Sequence, residues 1–144
     1  MSLRDEILEQ PRVIARLLER QREAVERVAA RLRERRPPMA FLAARGSSDN
    51  ACEYAKYLWG ACGRLPVARA APSLFSVYRT PPAVRDALVV GISQSGRSPD
   101  IVSGVAEGRR QGALTLAITN DPASPLAAAA SSPSRPWPAR NSLW

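Results

Sequence analysis

Val89-Val90-Gly91-Ile92-Ser93-Gln94-Ser95-Gly96-Arg97-Ser98-Pro99-Asp100-Ile101-Val102 decides the fold. The apolar run from Ala87 to Ile92 is continuous rather than alternating, as in a strand buried on both faces of a parallel sheet. It stops at Ser93, and a helical pattern opens with Pro99 and Asp100 in its first turn and Ile101, Val102 and Val105 on one face. Three hydroxyls, one amide and a glycine are thereby set between the C-terminal end of a strand and the N-terminus of a helix. Free backbone N–H groups and the positive end of the helix dipole point outward there, which suits an anion, phosphate above all. Gly96 permits a tight or left-handed turn and a close approach of the anion. Ser93, Ser95 and Ser98 can each donate a hydrogen bond, and the Gln94 amide adds further donors. The plainer alternative is a polar connection in which Ser98 only caps the helix.

The same grammar repeats upstream. Met39 to Ala44 is a second continuous apolar run, ended by Arg45-Gly46-Ser47-Ser48-Asp49 and followed by a helix through Ala51, Ala55, Leu58 and Trp59 to about Gly63. Gly46 suits the turn; Ser47, Ser48 or Asp49 suits the cap, or the turn faces a ligand. Leu65–Ala70 reads as a weaker strand near a sheet edge, and Pro72–Pro82 as an irregular connection with one helical turn around Leu74–Tyr78. Residues 99–111 form a helix stopped by Gly112, Leu114–Thr119 a further strand, and Ser124-Pro125 opens a short Ala-rich helix through Ala130. At the N-terminus, residues 3–9 read as a short helical opening. Pro11 then starts a long amphipathic helix to about Arg35 with Ile14, Leu18, Val25, Val28 and Leu32 on its apolar stripe.

Strands alternating with helices give a three-layer α/β/α, flavodoxin-like parallel sheet of about four strands. In the order 2-1-3-4-5 the topological switch lies between strands one and three, so the turns Arg45–Ser48 and Ser93–Ser98 meet at the crevice where such sheets bind ligands. The domain plan is a helical segment over 1–38, the α/β domain over 39–130 and an irregular tail over 131–144.

Composition narrows the function. The 144 residues suffice for one domain, and no apolar stretch is long enough to span a bilayer. The N-terminus lacks the apolar core of a signal peptide, and Cys52 and Cys62 form neither a disulfide framework nor a metal-site spacing, so a cytoplasmic location and no metal are expected. The net charge of +8 comes from an Arg-rich composition in which Lys56 is the one lysine. No DNA-reading motif or aromatic interleaving accompanies it, so neither nucleic acid nor membrane is assigned as a partner. The absence of histidine excludes imidazole chemistry from this chain.

Gly46-Ser47-Ser48, Ile92-Ser93-Gln94-Ser95-Gly96 with Ser98, and Ile118-Thr119-Asn120 resemble, in order, the sugar isomerase (SIS) domain. More narrowly, Glu6-Ile7-Leu8-Glu9-Gln10-Pro11 resembles the segment opening the isomerase part of the glutamine–fructose-6-phosphate aminotransferases. Ser2 stands where a glutaminase domain would carry its nucleophilic cysteine, so the chain looks more like the glutaminase-free branch, which includes glucosamine-6-phosphate deaminases and sugar-phosphate isomerases. The resemblance implies a phosphosugar ligand, fructose 6-phosphate or glucosamine 6-phosphate. It implies a phosphate held by Ser93, Gln94, Ser95 and Ser98 with the loop amides of the Gly96 turn, and a contact from Ser48 beside Gly46 and Ser47. No cofactor is implied, and a homodimer is possible.

Arg97 replaces an acidic residue common in the synthases and is expected to face solvent. The family carries two tandem SIS copies, of which this sequence matches the first. The enolisation glutamate, ring-opening histidine and essential lysine belong to the later part, so no residue here is assigned as catalytic. After Ala130 the family continues into a fifth strand, whereas Pro133, Pro136 and Pro138 argue against one here. Ala139 to Trp144 can be encoded so that a shifted frame reads Pro-Glu-Gln-Ser-Val, similar to the family's continuation; a frameshifted or truncated product is expected. A sugar-phosphate-sensing regulatory module and a half-enzyme completed by another chain are the alternatives.

Overall fold

The computed structural model describes residues 3–130 and divides into two compact units, the first ending at Arg36 and the second beginning at Pro37. The expected fifth-strand region and the tail at 131–144 lie outside the described residues.

The first unit is one helix, α1 (Leu3–Arg35), with Pro11 inside it. Two helices separated at Pro11 were expected. The ladder instead runs through the proline, which removes only the hydrogen bond to the carbonyl of residue 7. Straight-chain Glu, Arg, Gln and Leu on both sides favour helix and carry the chain across the gap. Glu23 and Arg27 meet at 3.6 Å one turn apart, and Arg31 and Glu34 at 3.4 Å. Arg33 and Arg35 sit in the last turn, where they complement the helix dipole.

The second unit runs β1 (Ala40–Ala44), α2 (Ser48–Gly63), β2 (Val67–Arg69), α3 (Ser73–Ser76), β3 (Leu88–Ile92), α4 (Pro99–Arg110), β4 (Leu114–Ile118) and α5 (Pro125–Ala130). Its sheet is parallel in the order β2-β1-β3-β4. The continuous apolar runs of β1 and β3 make them the central strands. The short β2, preceded by Pro66, takes an edge, since proline cannot donate to a ladder.

Right-handed crossovers fix the layers. The connection from β1 to β2 moves one way along the sheet and that from β3 to β4 the other, so α2 and α4 cover opposite faces. Side chains alternate accordingly. Phe41, Ala43 and Val89 pack with Ile101 and Val105 of α4 and Leu126 of α5. Ala40, Leu42, Leu88 and Val90 are buried on the other face. Gly91 and Gly108 allow the closeness on the α4 side: a Cβ at Gly91 would lie 2.6 Å from Val105 Cγ2, and one at Gly108 2.8 Å from Val89 Cγ2. Gln111 ties the end of α4 to the approach to β3. Its Oε1 accepts from the Val84 amide at 2.8 Å and its Nε2 donates to the Pro82 carbonyl at 3.1 Å.

Candidate functional site

β1 and β3 are paired along their whole length, Ala44 opposite Ile92, so the turns that leave them are neighbours. Both open at the C-terminal edge of the sheet, at the strand-order reversal.

The turn after β3 is a self-braced cradle. Ser93 is buried, and its carbonyl and Oγ accept from the Gly96 amide at 3.1 and 3.2 Å. Ser93 Oγ also lies 3.4 Å from Ser98 Oγ. Ser95 Oγ accepts from the Arg97 amide at 3.3 Å. The Gln94 carbonyl is pinned by the Asn120 amide at 3.1 Å and the Thr119 hydroxyl at 3.3 Å, which leaves the exposed Gln94 side chain free of the frame. Ser98 occupies the cap position of α4 with no side-chain capping bond, and Pro99 follows it without an N–H. The helix therefore leaves the Ser98 hydroxyl to its neighbours. Among the described residues the amides of Gln94, Ser95 and Ser98 have no partner.

Gly96 has φ +63°, and a Cβ there would strike Ser124 and come within 2.7 Å of Thr119 Oγ1. Both the left-handed backbone and this packing call for glycine. The Gly96 carbonyl accepts from Leu126 at 3.0 Å, so the turn is also the anchor of α5.

The turn after β1 differs. Gly46 has φ +60° and nothing within 4 Å of where a Cβ would stand. Here the space is open. Ser47, at the cap position of α2, has helical backbone angles (φ −63°, ψ −28°) and makes no side-chain cap, because the extended angles that aim a capping hydroxyl are absent. Asp49 pairs with Arg69 of β2, and Glu53 takes the other Arg69 nitrogen at 3.2 Å. Ser47 and Ser48 are thus the hydroxyls this turn presents, Ser47 exposed and Ser48 half-buried.

Two features escaped the sequence. Arg45 Nη1 donates to Asp100 Oδ2 at 2.9 Å, joining the turn after β1 to the first turn of α4. Asn120 Oδ1, beside the Gln94 carbonyl's partners, is buried with no hydrogen-bond partner among the described residues. The Arg45 pair spans 55 residues, so no local pattern announces it. Arg97 faces solvent as expected, 72% exposed and 3.5 Å from Asp121. The arrangement offers an anion hydroxyls, amides and a cation from two adjacent turns. No group of three or more potential metal ligands occurs among the described residues, and none of their helices is long and apolar enough to cross a membrane.

The family model described as SIS domain matches residues 32–133. The chain is 33% identical over 124 residues to a glutamine–fructose-6-phosphate aminotransferase (isomerizing) of Thermus thermophilus, covering 84% of this chain and 20% of that protein. Over 43 residues it is 56% identical to the N-acetylmuramic acid 6-phosphate etherase of Symbiobacterium thermophilum, covering 30% of this chain and 14% of that protein. Among solved structures, a candidate phosphosugar isomerase from Silicibacter pomeroyi superposes with TM-score 0.85 at 46% identity, over 89% of this chain and 39% of that one. The C-terminal domain of the Francisella tularensis glucosamine–fructose-6-phosphate aminotransferase superposes with TM-score 0.60 at 30% identity, over 69% and 28%. This chain therefore spans less than half the length of each of these relatives.

Proposed function

The chain belongs to the SIS-domain family, and from that premise we propose that its α/β unit binds a phosphosugar at the paired turns after β1 and β3. The fine assignment is that Ser93, Gln94, Ser95 and Ser98 hold the phosphate with the loop amides around Gly96, while Gly46, Ser47 and Ser48 contact the sugar or its phosphate. Fructose 6-phosphate and glucosamine 6-phosphate are the ligands of choice, following the aminotransferase relatives. One observation carries the reading. The capping hydroxyls at both helix N-termini are unused by their helices, so hydroxyls from two neighbouring turns, with the unpaired Gln94, Ser95 and Ser98 amides of the second, stand at the switch point of the sheet. Nothing in this set is a poised general base: Asp49 and Glu53 are paired to Arg69, and Asp100 to Arg45. We assign the site binding and no catalytic step.

The test is an NMR titration of the full chain with fructose 6-phosphate and glucosamine 6-phosphate. The expected result is saturable shifts of the Gly46, Ser95 and Gly96 amides. Ser93→Ala combined with Ser95→Ala should weaken binding on the order of a hundredfold or more, the loss of two hydrogen bonds to a charged group. A folded protein whose spectrum does not change at millimolar ligand overturns the proposal.

A further inference from the structure

Asp100 lies behind the candidate site and is nearly sealed from water, its side chain 8% exposed. A carboxylate in such a place needs partners for both oxygens. It has them: Oδ2 accepts from Arg45 Nη1 at 2.9 Å and Oδ1 from the Ile101 amide at 3.1 Å. The carboxylate is thus a fixed point on α4. Arg45 is its opposite in exposure, 67% open to solvent. A guanidinium is planar and rigid, so anchoring one nitrogen sets the direction of the remaining N–H donors. Those donors have no partner among the described residues.

Position gives this pair its meaning. Arg45 directly precedes Gly46, and Asp100 lies in the turn of α4 that begins at Ser98. The ion pair therefore crosses from one candidate turn to the other, with the carboxylate buried behind and the guanidinium in front. Arg97 lacks such a setting: it reaches only to Asp121, on the β4 side of the loop.

Building on the phosphosugar reading above, we propose that Arg45 is the charge-bearing residue of the site, aimed by Asp100 at the phosphate dianion that the two turns hold. One edge of the guanidinium is engaged by Asp100, and the other supplies charge-assisted hydrogen bonds to phosphate oxygens. The carboxylate keeps the arginine in place before ligand arrives, so less side-chain entropy is lost when the phosphate binds.

The experiment titrates fructose 6-phosphate into the wild type, Arg45→Gln and Arg45→Lys at several ionic strengths, with the thermal midpoint of each protein recorded. The glutamine variant should bind on the order of ten- to a hundredfold more weakly. Its affinity should depend less steeply on salt, because one screened attraction has been removed. Lysine should restore the salt slope but only part of the affinity, because it keeps the charge and lacks the planar fork. Arg45→Met, which keeps the aliphatic stem, carries the same expectation should the glutamine variant fail to fold. Charge-free variants that bind with wild-type affinity and salt slope, while the Ser93/Ser95 double variant still loses binding, overturn the role of Arg45 and leave the site reading intact. A wild type that shows no binding overturns both.

Discussion

At the scale of single residues, the two turn glycines look alike in sequence and are not alike in space. Both Gly46 and Gly96 have positive φ, +60° and +63°, so alanine at either carries the strain of a left-handed conformation, about 1 kcal/mol. Only Gly96 also has a neighbour where the methyl group would go, Ser124 of the lead-in to α5. Gly46→Ala should therefore lower the thermal midpoint by about 4 °C. Gly96→Ala adds overpacking of about 2 kcal/mol and should lower it by about 10 °C or more. Thermal unfolding followed by circular dichroism measures both, and equal shifts would show that Ser124 gives way freely. That Gly96 is a packing glycine was not legible in the chain, because Ser124 lies far along the sequence on another element. The same distance hid Arg45 and Asp100. The hydroxyls of Ser93, Ser95 and Ser98 were legible because strand, turn and helix stand in one uninterrupted stretch.

At the scale of elements, apolar runs read well and a proline read poorly. β1 and β3 showed themselves as runs with no polar member, the mark of strands flanked on both sides. Pro11 looked like the start of a helix and lies inside one, because a proline's local signal says nothing of how strongly the residues before it hold a helix. The end of α4 supplies a test of side chains that helical spacing brings together, Glu107 with Arg110 and Gln111. The Glu107 carboxyl is held down to about 2, first by hydrogen bonds from Arg110 and then by one from Gln111. A group with a lowered native pKa binds fewer protons folded than unfolded, so its contribution is complete above about pH 4.5 and is lost as the pH falls through about 2. Glu107→Gln should consequently be less stable than wild type at pH 7, and the difference should shrink steadily on acidification through that window. Urea unfolding midpoints of both proteins between pH 7 and pH 2 measure it. A gap that stays constant with pH would mean that the carboxylate's charge contributes nothing.

At the scale of the whole molecule, every residue assigned to ligand binding falls after Pro37, in the α/β unit, while the preceding unit is a helix whose Ile14, Leu18 and Val25 are more than half exposed. Pro37 and Pro38 follow the end of α1, and the apolar strand β1 begins at Ala40. Among the described residues, the supports of the cradle named above lie within that second unit: the β1–β3 ladder, the Gly96–Ser124 contact, the Arg45–Asp100 pair and the Gln111 tie. None of these draws on residues 1–36. A fragment beginning at Pro37 should then keep the affinity of the full chain for fructose 6-phosphate within about threefold, less than about 1 kcal/mol. The same amide titration measures it, with circular dichroism reporting that the fragment retains its mixed helix and strand signal. A folded fragment that no longer binds would show that binding needs residues before Pro37.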